Sequence, residues 1–391
     1  MMAIDGRLCY IAANDWRIMM SFDRRSFLDG SRIVVEALAQ AGGDVFIGYP
    51  ITPANLLYAY AQQRFPEFYA APDEITALQW AAGYAAAGKL SVTATSFPGF
   101  ALMLESLNMA FMMELPMVIV LVQRLGPSTG SATVGAQGDL LLLRGAVSGG
   151  YPLPVFCPAS FIDAWRLAEA AVQAAVKLRT PVVLLTSKEM MMTQKSIDLT
   201  SLPKIAPVHR HLKASPSYLP YQPTDDGVPP FAPVGNRQAR VQLNASTHDA
   251  SGQIRSSTPE ALANTRRLSE KISRGMSDYT FFELDEMNDA RLLSVSYDVS
   301  DAATRAAVRE LRRRGLALDH LTIKTLLPVT KPVTAILRRY EAVAVIEENI
   351  TGALKQVLFG QDERVLAVGR IGAAIAPQQI IDEVQAWRNR F

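Results

Sequence analysis

Hydrophobic and polar residues fall along the chain in two alternating stretches separated by an irregular one. From about residue 28 to residue 187, short β-rich runs at 44–48, 91–96, 117–122 and 181–186 alternate with helix-length, alanine-rich segments at 31–42, 53–64, 73–88, 101–113 and 161–178. Alternation of this kind predicts an α/β layer structure with a mostly parallel sheet. From 188 to 286 the periodicity fades. Prolines, serines and polar residues crowd 202–235, and a helical pattern returns only at 259–272. Connections of this length are usually functional or disordered, and this one is expected to drape over partner surfaces. From about residue 289 the alternation resumes. Strands are expected at 292–297, 316–323, 342–346 and 365–368, and helices at 302–314, 332–340, 354–359 and 377–388. The expected division is therefore an N-terminal extension of no assigned role (1–27), a parallel-sheet α/β domain (28–200), an extended connector (201–286) and a second, smaller α/β domain (287–391).

Composition narrows the setting. Hydrophobic residues make up 49% and charged residues 19% of the chain, with a mean hydropathy of +0.11, a balance suited to a subunit that buries surface against partners. The two cysteines, Cys9 and Cys157, form neither a disulfide framework nor a cluster-ligand set. Four scattered histidines (His209, His211, His248 and His320) give no zinc pattern. A formal net charge of +2 without a strong basic patch argues neither for nor against nucleic acid, and no nucleic-acid partner is expected. No apolar run reaches the roughly 18–20 residues of a membrane span, since Glu114 and Pro116 break the longest one. The start of the chain lacks the basic and apolar regions of a signal peptide. The expected location is cytoplasmic.

Three segments could carry chemistry. Tyr49-Pro50-Ile51-Thr52-Pro53 follows a predicted strand, at the edge where open α/β sheets gather ligands. Thr52 capping a helix with Pro53 in its first turn explains the same residues, and from the residues alone that reading stands first. Asp73-Glu74-Ile75 opens a helix rich in alanine and glycine. Acidic residues there complement the helix dipole, while the lack of side-chain bulk lets another backbone or a cofactor approach, where a carboxylate can serve in proton transfer. Arg124 leaves a predicted strand into Leu125-Gly126-Pro127-Ser128-Thr129-Gly130, which suits a guanidinium fork for a carboxylate or an ordinary surface turn.

Taken in order, YPITP (49–53), DEI (73–75), TATSFPGF (93–100), QRLGPSTG (123–130) and AQGDL (136–140) resemble the α subunit of 2-oxoacid:ferredoxin oxidoreductases, closest to the 2-oxoglutarate branch. The resemblance runs from about residue 28 to the C-terminus. It implies a pyrimidine-binding-type domain of thiamine-diphosphate enzymes followed by a domain similar to the C-terminal domain of transketolase. Thiamine diphosphate is then shared with a β subunit, which holds its diphosphate, Mg²⁺ and a [4Fe–4S] cluster. Glu74 matches the catalytic glutamate on the cofactor's pyrimidine, beside Tyr49, Pro50 and Ile51. Thr52, Arg124 and Thr133 match residues that bind the substrate. The implied reaction is CoA-dependent oxidative decarboxylation of a 2-oxoacid, with electrons passed to ferredoxin, in an (αβ)₂ assembly. No metal ligand is expected on this chain, which lacks a GDG…N diphosphate motif.

Departures from the family pattern add apolar bulk: Phe97 and Leu125 stand where glycines are usual, and Val134 where lysine is common. A 2-oxoglutarate distal carboxylate needs its own cation, so a branched-chain or aryl 2-oxoacid is the alternative substrate. A non-catalytic scaffold subunit is the alternative of a different class.

Overall fold

The computed structural model of the chain describes residues 25–210 and 214–388. Most of the expected N-terminal extension lies outside them, as do Cys9 and His211. The described chain opens on β1 (Arg25–Asp29), which pairs antiparallel with β8 (Gln194–Asp198) in a small two-stranded ribbon.

The larger sheet contains β2 (Val45–Gly48), β3 (Glu67–Ala70), β4 (Ser91–Thr95), β5 (Met117–Gln123), β6 (Val155–Phe156) and β7 (Pro181–Ser187). The smaller contains β9 (Phe282–Asp285), β10 (Leu292–Ser296) and β11 (Leu318–Ile323), followed, after the short β12 (Thr325–Leu327), by β13 (Ala342–Glu347) and β14 (Val365–Gly369). The seven-stranded order is β12-β6-β7-β5-β4-β2-β3, and the five-stranded order is β14-β13-β10-β11-β9. Pairings are parallel except those of β12 with β6 and β9 with β11. The two α/β units are thus knitted together: β12 leaves the second unit to finish the first sheet. The stretch expected as connector supplies β9 to the second.

Burial explains why the central strands form. Every residue of β5, MVIVLVQ, is buried between β4 and β7, and each fully buried Val, Leu or Ile contributes about 1.5–3 kcal/mol. Helix Phe161–Leu178 covers one face. Ser160 caps it by accepting from Asp163 N–H at 3.1 Å, and Arg179 ends it in a left-handed conformation (φ +45°).

The connector packs on its own chain. Arg179 Nη1 donates to the carbonyls of Pro220 (2.9 Å), Pro229 (3.2 Å) and Pro230 (2.9 Å). Helix Pro259–Gly275 turns Arg267 and Lys271 onto buried Glu114, with Lys271 Nζ 2.6 Å from Oε2. His248 is buried against the Tyr221 ring, with centroids 3.8 Å apart. Expected polar linker residues are therefore tied down by hydrogen bonds and charge.

Candidate active site at the strand ends

Because β2, β3, β4 and β5 run parallel, the segments that leave them emerge on one edge of the sheet. The chain passes from β2 outward to β3, then back across β2 to β4, and carboxyl ends at such a reversal are where open α/β sheets gather ligands. Helix Glu74–Ala86 makes that return crossing. Ala77, Ala81, Ala82 and Ala85 are buried beneath it, and Ser91 Oγ donates to the Ala81 carbonyl at 2.8 Å. Small side chains here serve close packing of helix on sheet.

The helix separates the two acidic residues by role. Asp73 is the cap, accepting from Thr76 N–H at 2.7 Å, which leaves Glu74 without a capping duty. Glu74 is 7% exposed. A Cβ at Gly99 would lie 2.6 Å from Glu74 Oε1 and 2.2 Å from Thr95 Oγ1, so only glycine lets helix Phe97–Met112 begin beside this carboxylate. That helix starts four residues before the expected 101, with Pro98 in its first turn, where a missing N–H costs nothing.

Thr52 is not a helix cap. The following helix is Asn55–Arg64, with Ala54 at its cap and no side-chain capping bond. The Thr52 carbonyl instead accepts from Arg124 Nη1 at 2.6 Å, joining the exits of β2 and β5. Arg124 is no surface residue: it is 5% exposed, and its Nε has no hydrogen-bond partner among the described residues. Burial lowers its pKa, while Asp139 acts in the opposite sense. Tyr49 and Pro50 are exposed at the strand end, with Ile51 and Thr52 half-buried.

The loop 125–139 folds back on itself. Leu125 N–H donates to the Val134 carbonyl at 2.7 Å, and Ser131 N–H to the Leu125 carbonyl at 2.9 Å. Gly130 sits at φ +51°, where a Cβ would lie 1.7 Å from Leu125 O, so glycine is required for closure. Thr133 is exposed on this loop. The structure thus joins Thr52 to Arg124 by a bond and sets Glu74 on the same sheet edge, while no hydrogen bond fixes the Thr133 hydroxyl among the described residues.

Two residues of AQGDL had no assigned role in the sequence. Gln137 ties the loop to the second unit: its N–H donates to the Glu348 carbonyl (2.9 Å), its Nε2 to the Tyr297 carbonyl (2.8 Å), and its Oε1 accepts from Glu348 N–H (2.6 Å). Asp139 is 5% exposed with Oδ2 unpartnered among the described residues. Burial pushes its carboxyl up to about 7, against the pull of Arg124. Their place in a Gly-rich loop after Arg124 was the one available signal.

Elsewhere, Cys157 is a buried free thiol whose pKa burial raises. Among the described residues, no helix is long and apolar enough to cross a membrane.

The family model described as pyruvate flavodoxin/ferredoxin oxidoreductase, thiamine diphosphate-binding, matches residues 36–267. The 2-oxoglutarate synthase subunit KorA of Methanothermobacter thermautotrophicus is 29% identical over 368 residues, 92% of this chain and 97% of that protein. The ketoisovalerate oxidoreductase subunit VorB of the same organism is 32% identical over 305 residues, 76% of this chain and 79% of that protein. Among solved structures, a 2-oxoglutarate:ferredoxin oxidoreductase from Magnetococcus marinus, with 2-oxoglutarate, coenzyme A and succinyl-CoA bound, superposes at a TM-score of 0.87 and 26% identity. The match covers 93% of this chain, which spans 65% of that longer one.

Proposed function

The chain belongs to the pyruvate flavodoxin/ferredoxin oxidoreductase family, and from that premise we infer that it is the α-type subunit of a 2-oxoacid:ferredoxin oxidoreductase. The reaction is CoA-dependent oxidative decarboxylation of a 2-oxoacid to acyl-CoA and CO₂, with electrons passed to ferredoxin. 2-Oxoglutarate is the first choice of substrate, supported by the KorA relative. The observation that carries the reading is the buried Arg124 held to the Thr52 carbonyl at the strand-end crevice, on the same edge as buried Glu74. A guanidinium there has the charge and geometry for an anionic substrate.

The residues fit one half of a thiamine diphosphate site. Glu74 offers a single buried acceptor beside the Gly99 cradle, suited to hold a proton at the pyrimidine N1′. Tyr49, Pro50 and Ile51, which follow β2 and are exposed or half-buried, offer apolar surface for an aromatic ring. Thiamine diphosphate, when bound, supplies the nucleophilic carbon and the electron sink for decarboxylation. Arg124 and Thr52 orient the 2-oxoacid, and Thr133 adds a hydroxyl from the loop. Glu74 is the catalytic residue. The diphosphate, Mg²⁺ and [4Fe–4S] cluster are assigned to a β subunit.

That subunit has a surface to cover. Ile75 and Trp80 on helix Glu74–Ala86 are 42% and 43% exposed, Leu102 on the adjoining helix is 52% exposed, and Tyr49 lies at the strand end. Apolar side chains rimming a half-built site suit a permanent partner. The assembly proposed is a cytoplasmic (αβ)₂ heterotetramer.

A second substrate reading has its own support. Leu125 and Val134 close the loop beside Arg124, and the VorB relative is a ketoisovalerate enzyme, so a branched-chain or aryl 2-oxoacid ranks next. The test is anaerobic isolation of the native complex and viologen dye reduction with each acid, with and without CoA. The expected result is CoA-dependent reduction with 2-oxoglutarate. No reduction with any 2-oxoacid, from a complex carrying thiamine diphosphate and cluster absorbance, would overturn the assignment.

A further inference from the structure

Arg124 has an anionic neighbour before any substrate arrives. Asp139 heads the short helix Leu140–Arg144, and its backbone N–H donates to Gln123 Oε1 at 3.2 Å, so the chain passes Arg124 and returns to the residue just before it. Asp139 and Arg124 are each 5% exposed, and each keeps one buried polar atom, Oδ2 and Nε, without a hydrogen-bond partner among the described residues. Arg124 is the charged group that acts on Asp139, and Asp139 the one that acts on Arg124. Tyr297, just beyond β10, is a further titratable neighbour, a fully buried phenol whose own pKa is raised by burial and by several carboxylates, Asp139 among them. Gln123 brings no charge: its Oε1 takes the Asp139 N–H, and its Nε2 faces Asp298 at 3.5 Å.

One cation therefore balances one anion in a place shielded from solvent. A 2-oxoacid docked on Arg124 introduces a second carboxylate to the same guanidinium. Two carboxylates that share one site cannot both stay ionised at little cost when water is excluded. The electron-withdrawing 2-oxo group makes the substrate's carboxyl the stronger acid, so it keeps its charge. We propose that Asp139 takes up a proton from solvent when a 2-oxoacid carboxylate docks on Arg124, leaving the arginine's charge to the substrate. The proton adds to the Asp139 carboxylate and no other bond changes. Asp139 is thus a positioning residue that acts through Arg124. The inference rests on the reading of Arg124 as the substrate-carboxylate residue. The carboxyl already lies near neutrality in the free site, and a second anion on Arg124 is expected to raise it well above that range.

Calorimetry of the intact αβ complex tests this without turnover. The probes are oxamate and N-oxalylglycine, unreactive amide analogues of a short and a dicarboxylic 2-oxoacid, titrated in buffers of different ionisation enthalpy. The wild-type complex is expected to take up about half a proton per analogue at pH 7 and to approach one at pH 8. Affinity then falls with rising pH, by at most about tenfold per unit. Asp139→Asn is expected to lose the uptake, flatten the pH dependence and bind more tightly than wild type at pH 8. A wild-type complex that binds with no proton uptake overturns the proposal without need of the variant, as does uptake that persists in Asp139→Asn. Arg124→Lys separates the two readings: if it binds the analogues as tightly as wild type, the Arg124 assignment itself fails. If it weakens binding while wild type shows no uptake, only the role of Asp139 fails.

Discussion

Two carboxylates buried in this chain have opposite surroundings. Glu114, under the connector, has cations on both oxygens: Arg267 across both and Lys271 on Oε2, with Arg179 nearby. Burial alone would raise its pKa, but those cations outweigh it and hold the carboxyl at about 2. Asp139, at the strand ends, has a single cation that forms no ion pair with it, an unpartnered oxygen and a carboxyl pushed up to about 7. One group is fully satisfied, and the other is left short. A satisfied buried charge closes a structure, whereas an unsatisfied one beside a crevice has capacity left for a ligand. By that criterion Glu114, Arg267 and Lys271 fasten the connector, and Arg124 and Asp139 are the candidates for a working edge.

Substitutions should separate the two regions by what they damage. The largest effect is expected from Glu74→Ala, which should lower turnover of the assembled complex by about 100-fold or more and leave assembly intact. Dye reduction together with size-exclusion profiles measures both, and a tolerant complex would favour a scaffold subunit. Next is Glu114→Gln. Removing one partner of a buried ion cluster costs about 3–5 kcal/mol, so the melting temperature should fall and the connector should become sensitive to protease, with turnover per folded complex retained. Arg124→Lys should act the other way, raising KM for the 2-oxoacid by about 10- to 100-fold through a lost charge-assisted bond with little change in melting temperature.

Acid should distinguish the regions as well. The folded pKa of Glu114 lies below its ordinary value, so its contribution to stability is full above the usual carboxylate range and is lost as pH falls from about 4.5 toward about 2. Melting temperature followed over that interval should drop more steeply for wild type than for Glu114→Gln. Thr133→Val is the smallest expected effect. One exposed hydroxyl is worth about 1 kcal/mol, hence a KM increase of a few fold, and a larger loss would place Thr133 deeper in the site than its exposure suggests.

The same contrast bears on what the sequence made legible. Elements with long apolar stretches were readable: helix Phe161–Leu178 has the expected limits, and β5 differs by one residue. Short strands paired across distance were not. Val155–Phe156 pairs with β7 on one side and with Thr325–Leu327 on the other, and Phe282–Asp285 forms on the edge of a sheet built by later residues. Glu67–Ala70 is an edge strand with half its side chains exposed, so no apolar run marks it. At the candidate site, the ordered motifs pointed to Thr52, Glu74 and Arg124, but local capping rules misread Thr52, whose carbonyl answers to an arginine 72 positions away. The state of Asp139 depends on burial between two units, which no local pattern encodes. The connector looked loose because its anchors, Glu114 and Arg179, lie in the first unit.

The claim on which the rest depends is that this chain holds half an active site. Purified separately under anaerobic conditions, the chain and its β subunit should each fail to reduce viologen dye with 2-oxoglutarate and CoA, and mixing them should restore reduction. Restored activity that vanishes when the chain carries Glu74→Gln would support the account. Turnover by either subunit alone, or a mixture indifferent to Glu74, would contradict it.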